Sequence, residues 1–154
     1  MADSKFKKDI NIRNRKASYE YQFLDTYIAG IVLSGTEIKS IREGKVNLQE
    51  SFCLFLGEEL ICRGMHISPY SMGSFKNHES KADRKLLLKR KELEKIKSKS
   101  QEKGLSIIPT RLFINDRGWA KVEIAIAKGK KLYDKREDIK QKDLKRELSN
   151  VKTP

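Results

Sequence analysis

Near the C-terminus, Val122, Ile124 and Ile126 alternate with Lys121, Glu123 and Ala125. A period of two sends one set of side chains to a buried face and the other to an open one, so 119–128 reads as a β-strand. Its partner is 105–115, with Asp116-Arg117-Gly118 as the turn. Pro109 lacks the N–H a ladder needs and marks an edge or bulge in that partner. Upstream, Tyr19, Tyr21, Phe23, Tyr27, Ile28, Ile31, Val32, Ile38 and Ile41 make 17–41 rich in aromatic and β-branched residues. That enrichment predicts two strands, roughly 18–24 and 27–41, with Gly30 and Gly35 as bends of a curling sheet. Asn47 to Glu50 reads as one helical turn. Two short strands follow at 51–56 and 60–67, and a Gly57-Glu58 turn between them sets Cys53 opposite Cys62.

The periodicity changes after a loop at 68–80. Ala82, Leu86, Leu93 and Ile96 share a helical face, and Ser80 with Asp83 forms a variant capping box, so 83–99 reads as a helix that ends near Gly104. Leu86-Leu87-Leu88 is wider than one stripe, so one leucine faces sideways, toward another element or a partner. Six strands and one main inserted helix predict a mainly β fold: an antiparallel barrel of the oligonucleotide-binding type, the helix across one opening. Residues 1–13 are polar and read as a flexible N-terminus, and the barrel domain spans 14–130. From 131 to 154 the apolar residues thin to a sparse stripe of Ile139, Leu144, Leu148 and Val151. Such a helix is marginal in water, so the tail is expected to be disordered when free and helical on a partner.

Charge narrows the function. The 154 residues hold 34 Lys and Arg against 21 Asp and Glu, a net +13. Lysines and arginines displace counterions from phosphates, so the balance points to a nucleic acid. The basic residues gather in groups: Asn14-Arg15-Lys16, then Lys39, Arg42 and Lys45, then Arg84 and Lys85, then Lys121, Lys128, Lys130 and Lys131. Arg84 and Lys85 fall at the predicted helix start, where positive charge opposes the macrodipole and hints at an anionic partner. No apolar run approaches the ~18 residues of a membrane span and no secretory signal is visible, so a soluble cytoplasmic protein without a membrane partner is expected. In a reducing cytoplasm Cys53 and Cys62 stay thiols. His66 and His78 have no ligand partners at metal spacing, and no P-loop, Rossmann glycine run or GxSxG occurs. No catalytic residue, metal or cofactor is expected.

Several motifs occur in order: Gly30-Ile-Val-Leu-Ser-Gly-Thr-Glu-Ile-Lys-Ser-Ile-Arg42, Gly44-Lys45-Val-Asn47-Leu, His66-Ile-Ser-Pro-Tyr70, Asn77-His78, Arg84-Lys-Leu-Leu-Leu88, and Lys121-Val-Glu-Ile-Ala-Ile-Ala-Lys-Gly-Lys-Lys-Leu-Tyr-Asp-Lys-Arg136. From about Asn14 to Arg136 the chain resembles the small protein B family, the bacterial SsrA-binding or tmRNA-binding proteins. The resemblance implies a non-catalytic barrel that grips the tRNA-like domain of transfer-messenger RNA. It implies delivery of that RNA, with elongation factor Tu, to stalled 70S ribosomes, where the tail enters the empty messenger channel at the decoding region. A monomer is expected.

By position, Leu87 and Lys121 match family residues important for RNA binding, and Tyr133, Asp134, Lys135 and Arg136 match the ribosome-engaging tail motif. Tyr19 falls where the family often has a histidine near the decoding region, and Phe52 where a tyrosine is common; both rings can stack on a base. The sequence departs from the family at Ile28, often a glutamate tied to RNA binding. Ser80 and Ala82 replace a usual proline and arginine, and Lys89 a frequent histidine. Two rival readings remain: a general single-strand binder of the same fold, and an RNA-processing nuclease using Asp or Glu with a metal.

Overall fold

The structure is a computed structural model that describes residues 10–73 and 77–130. The elements run β1 (Asn11–Arg13), α1 (Arg15–Glu20), β2 (Tyr21–Ile31), α2 (Gly35–Arg42), β3 (Val46–Asn47), β4 (Phe52–Leu56), β5 (Glu59–Arg63), β6 (His66–Ile67), β7 (Arg84–Leu87), α3 (Arg90–Ser100), β8 (Leu105–Ile114) and β9 (Ala120–Gly129). Six strands, in the order β8-β4-β5-β7-β2-β9, close on themselves through a β8–β9 pairing, every pair antiparallel. Closure removes the free edges that an open sheet leaves. β1 joins the second half of β8, and β3 pairs with β6 in a separate two-stranded ladder. The barrel interior holds Leu60, Leu86, Leu112, Val122, Ile124 and Ile126, to which α2 adds Ile41 and α3 adds Ile96.

The β8–β9 hairpin has its predicted place and turn, and its register shifts between Pro109 and Arg111 as the proline requires. Cys53 lies opposite Cys62, both free and buried. Their mutual hydrogen bond and burial push the Cys53 thiol well above its ordinary value. Asn47 opens no helical turn; it ends β3, and a turn through Glu50 follows.

Several expectations are corrected. The two strands expected at 18–24 and 27–41 are a single strand, Tyr21–Ile31, and 35–42 is a helix. Ser34 and Glu37 form a capping box there, the Glu37 carboxylate accepting from the Ser34 N–H at 2.8 Å. The β-branched residues after it therefore wind into a helix that buries Ile41. Gly30 remains in regular register, and the bulge of β2 lies between Phe23 and Asp25 instead. The helix expected from 83 begins only at Arg90. Residues 84–87 form a strand with Arg84 and Leu86 inward and Lys85 and Leu87 outward. A period of two is hard to see there because one inward residue is an arginine. Tyr19 lies on α1, capped by Asn14 Oδ1, which accepts from the Ala17 N–H at 3.1 Å. Ile10 is buried and 11–13 is a strand, so the folded part starts before Asn14. Of the flexible stretch expected over 1–13, residues 1–9 lie outside the described residues, as does the tail expected over 131–154.

Candidate nucleic-acid interface

The register of four strands sets Leu87, Gly30, Lys121 and Phe113 in one row across the outside of the barrel. Their neighbours Leu86, Ala29, Val122 and Leu112 are buried inside, which fixes this row on the outer face. Adjacent strands lie roughly 4.8 Å apart, so Leu87 and Lys121 stand about 10 Å apart with the glycine between them. A Cβ on Gly30 would meet the Leu87 Cβ at 3.5 Å, so the missing side chain leaves a notch. Leu87 is 50% exposed, and Ile28 and Val32 extend the apolar rim along β2. Among the described residues Lys121 makes no ion pair. An uncompensated ammonium beside a notch rimmed by aliphatic groups can hold a phosphate while a ribose or base covers the apolar rim.

Ile28 stands opposite Glu123 in the next row. A carboxylate is thus present one strand away from the position where the family resemblance places one. Glu123 accepts from the Thr110 hydroxyl at 2.6 Å and from Arg111 Nε at 3.3 Å. Trp119, 67% exposed, precedes Lys121 by two residues and so continues its outward face. The turn holds it firmly: the Trp119 N–H donates to Asn115 Oδ1 and the Asn115 N–H to the Trp119 carbonyl, each at 2.9 Å. The sequence reading missed Trp119, although its spacing from Lys121 was legible.

A second group lies at the other end of β9. Gly129 is opposite Tyr21, and Lys130 donates its N–H to the Glu20 carbonyl at 2.9 Å. This brings Lys128 and Lys130 next to α1 with Arg15, Lys16 and Tyr19, and the Lys130 ammonium sits 5.9 Å from the Tyr19 ring centre. Gly129 is eight residues along β9 from Lys121, about 26 Å. A groove of about 580 Å³ opens between α1 and β4, with Tyr21 and Phe52 in its lining. Lys16 pairs with Glu50, whose carboxyl is held below its ordinary range by that ammonium. Lys39 and Arg42 are on α2 and Lys45 follows it; Lys39 sits 5.5 Å from the Tyr70 ring centre and Lys45 lies 3.4 Å from Glu43. Lys131, Tyr133, Asp134, Lys135 and Arg136 lie outside the described residues.

Two predicted RNA contacts are inside the fold. Asn14 is buried and donates to the Leu48 and Pro109 carbonyls, besides capping α1. Arg84 is 3% exposed. It pairs with Glu37 and donates to the carbonyls of Met65 at 2.6 Å and of Glu79 and Ser80 at 3.2 Å. It ties β7 to α2 and to the loop before β7, where Ser80 and Ala82 stand. Lys85 points outward but is paired with Glu59 at 2.7 Å. Lys89 caps α3 through its backbone, its N–H donating to Glu92. His78 bridges the Thr36 hydroxyl and the Ile67 carbonyl, each at 2.9 Å, a structural link between α2 and β6. Among the described residues no three His, Cys, Asp or Glu side chains gather as metal ligands.

A sequence model of the SmpB protein family matches residues 11–153. The SsrA-binding protein of Cytophaga hutchinsonii is 56% identical over 152 residues, 99% of each chain. That of Christiangramia forsetii is 57% identical over 145 residues, covering 94% of this chain and 92% of the relative. A chain in the solved structure "tmRNA-SmpB: a journey to the center of the bacterial ribosome" superposes with a TM-score of 0.71 at 41% identity, covering 84% of this chain and 94% of the other.

Proposed function

Since the chain belongs to the SmpB family, we propose that it is a non-catalytic translation factor that binds the tRNA-like domain of tmRNA and brings it to stalled ribosomes for trans-translation. The observation that carries the RNA-binding step is the outer row of Leu87, Gly30 and Lys121, an unpaired cation beside an open apolar notch. The row is rigid because it is built on strands of a closed barrel. It suits a folded RNA surface with phosphate and unstacked bases close together, read by shape more than by sequence. Trp119 borders the same face and offers a ring for stacking.

The second basic group, around α1 and Lys130, belongs to the ribosome-facing side of this reading. There Tyr19 and Phe52 face the decoding region, and the chain beyond Lys130 enters the messenger channel. Elongation factor Tu takes part through the charged tmRNA, and the protein acts as a cytoplasmic monomer.

Competition between the tRNA-like fragment of tmRNA, an ordinary tRNA and a single-stranded RNA tests the reading. Trp119, the one tryptophan of the chain, reports binding by its fluorescence. The tRNA-like fragment should bind tightest and Lys121→Gln should weaken it. Preference for the single strand would replace this reading with that of a general strand binder.

A further inference from the structure

Beside the Leu87–Lys121 row lies a depression of about 670 Å³ lined by Arg13, Arg15, Arg111, Ser18, Thr110 and Glu123. The register places Arg13 directly opposite Arg111, and Arg111 opposite Glu123. Like charges directly opposite on neighbouring strands repel and destabilise a sheet. Arg15 adds a third cation in the first turn of α1, which holds no acidic residue and where positive charge is disfavoured. Glu123 is the one acid in the lining, and it is already engaged by the Thr110 hydroxyl and by Arg111 Nε. The Arg111 guanidinium lies 4.2 Å from the Phe113 ring centre, which holds it flat and in place. Its two η nitrogens have no partner among the described residues, and neither do the side chains of Arg13 and Arg15. Three guanidiniums thus share one depression with a single carboxylate between them. The folded protein gains from Arg111 through Glu123 and Phe113, but Arg13 and Arg15 add charge that nothing in the depression balances.

We propose that this depression is a phosphate site, which takes a backbone phosphate of a bound RNA on the forks of Arg13 and Arg111, with Arg15 at its edge. A guanidinium offers paired donors to phosphate oxygens, and an anion there removes the cross-strand repulsion. The Arg13–Arg111–Glu123–Ile28 row is two residues along from the Lys121 row, which puts Arg111, one strand across, about 8 Å from Lys121 and Arg13, two strands across, about 12 Å from it. Those spans correspond to one or two phosphate steps on one strand, so a single RNA backbone can engage both. The site rests on the RNA-binding function proposed above and extends its footprint across β9 and β8 to β1, toward α1.

The signature that separates a phosphate site from a structural arginine is opposite signs on stability and binding. Arg13→Gln removes a repulsive charge, so the melting midpoint of the free protein should hold or rise. Its affinity for RNA should fall about five- to tenfold at physiological salt, and the slope of log K against log salt should flatten by nearly one unit, the yield of one lost phosphate contact. Arg13→Lys should recover most of the loss. The full chain is tested in two arms, against the tRNA-like fragment and against ribosomes, and a loss in one arm alone supports the site and identifies which RNA fills it. Unchanged affinity and slope in both arms overturns the site. So does a fall in melting midpoint that accompanies the weaker binding. Lys121→Gln is run alongside: a fragment that responds to Lys121 but not to Arg13, with ribosome binding equally indifferent to Arg13, sinks this inference alone, whereas a fragment that ignores both positions sinks the function reading.

Discussion

Replacing Arg84 should damage the fold and leave the RNA contacts untouched. Its guanidinium is the partner of Glu37, and both side chains are buried, at 2% and 8% exposure. Arg84→Met leaves the Glu37 carboxylate inside the protein with only the Ser34 N–H as donor. Breaking a buried pair on one side costs about 3–5 kcal/mol, most of it the uncompensated charge. Among the carbonyls Arg84 served, that of Ser80 also accepts from the Ile67 N–H and that of Glu79 from the Ala82 N–H. Only the Met65 carbonyl is left bare, which adds about 1–3 kcal/mol. The total, about 4–8 kcal/mol, is a large part of the ~5–15 kcal/mol that holds a domain folded. Urea unfolding followed by circular dichroism should show the midpoint collapse. Arg84→Lys keeps the charge without the planar fork and should be milder. That variant provides folded protein for RNA titrations, in which the salt slope should match wild type. An Arg84→Met protein within about 1 kcal/mol of wild type, with Arg84→Lys lowering the salt slope, would refute the reasoning and make Arg84 an RNA contact.

Gly30→Val fills the notch between Leu87 and Lys121. Gly30 has no positive φ and a Cβ there makes an ordinary contact, so the melting midpoint should stay or rise while RNA affinity falls tenfold or more; equal affinity would remove the notch from the interface. Truncation after Lys131 should leave affinity for the tRNA-like fragment nearly intact and abolish rescue of stalled ribosomes, and a large loss of affinity would contradict the division between barrel and tail. The hydrogen bonds from Arg63 hold the Asp83 carboxyl below its ordinary range. A lowered folded value means the pair stabilises above the unfolded value, near pH 4, and loses that contribution as pH falls through the folded one. Acid titration of Asp83→Asn should therefore show a small stability deficit at neutral pH that shrinks as the carboxylate protonates; a deficit that does not shrink with falling pH would show that the carboxylate's charge is not its source.

The parts of the fold that were legible in the sequence are local. Val122, Ile124 and Ile126 alternate within one strand, Asp116-Arg117-Gly118 lies between two strands, and Cys53 faces Cys62 across a two-residue turn. Each signal spans only a few residues, and no competing local signal opposes it. The errors came where two local signals competed. Ile38 and Ile41 favoured a strand by β-branching, while Ser34 and Glu37 favoured a helix by capping, and the cap won because a helix buries Ile41 in the core. At 84–87 a period of two was present, but an arginine on the inner face hid it.

By itself the sequence determined the surplus of positive charge, the alternation of β9 and the resemblance to one family. It did not determine what each cation does, since Arg84 and Lys121 are alike as basic residues in a string of letters. Tertiary structure decided that Arg84 meets Glu37, a residue far away in the chain, and leaves water, while Lys121 stands between Gly30 and Phe113 with no counter-charge among the described residues. A charge stabilises a fold or recruits a ligand according to its dielectric surroundings and its nearest counter-charge, and both are set by strands and helices that come together only when the barrel closes.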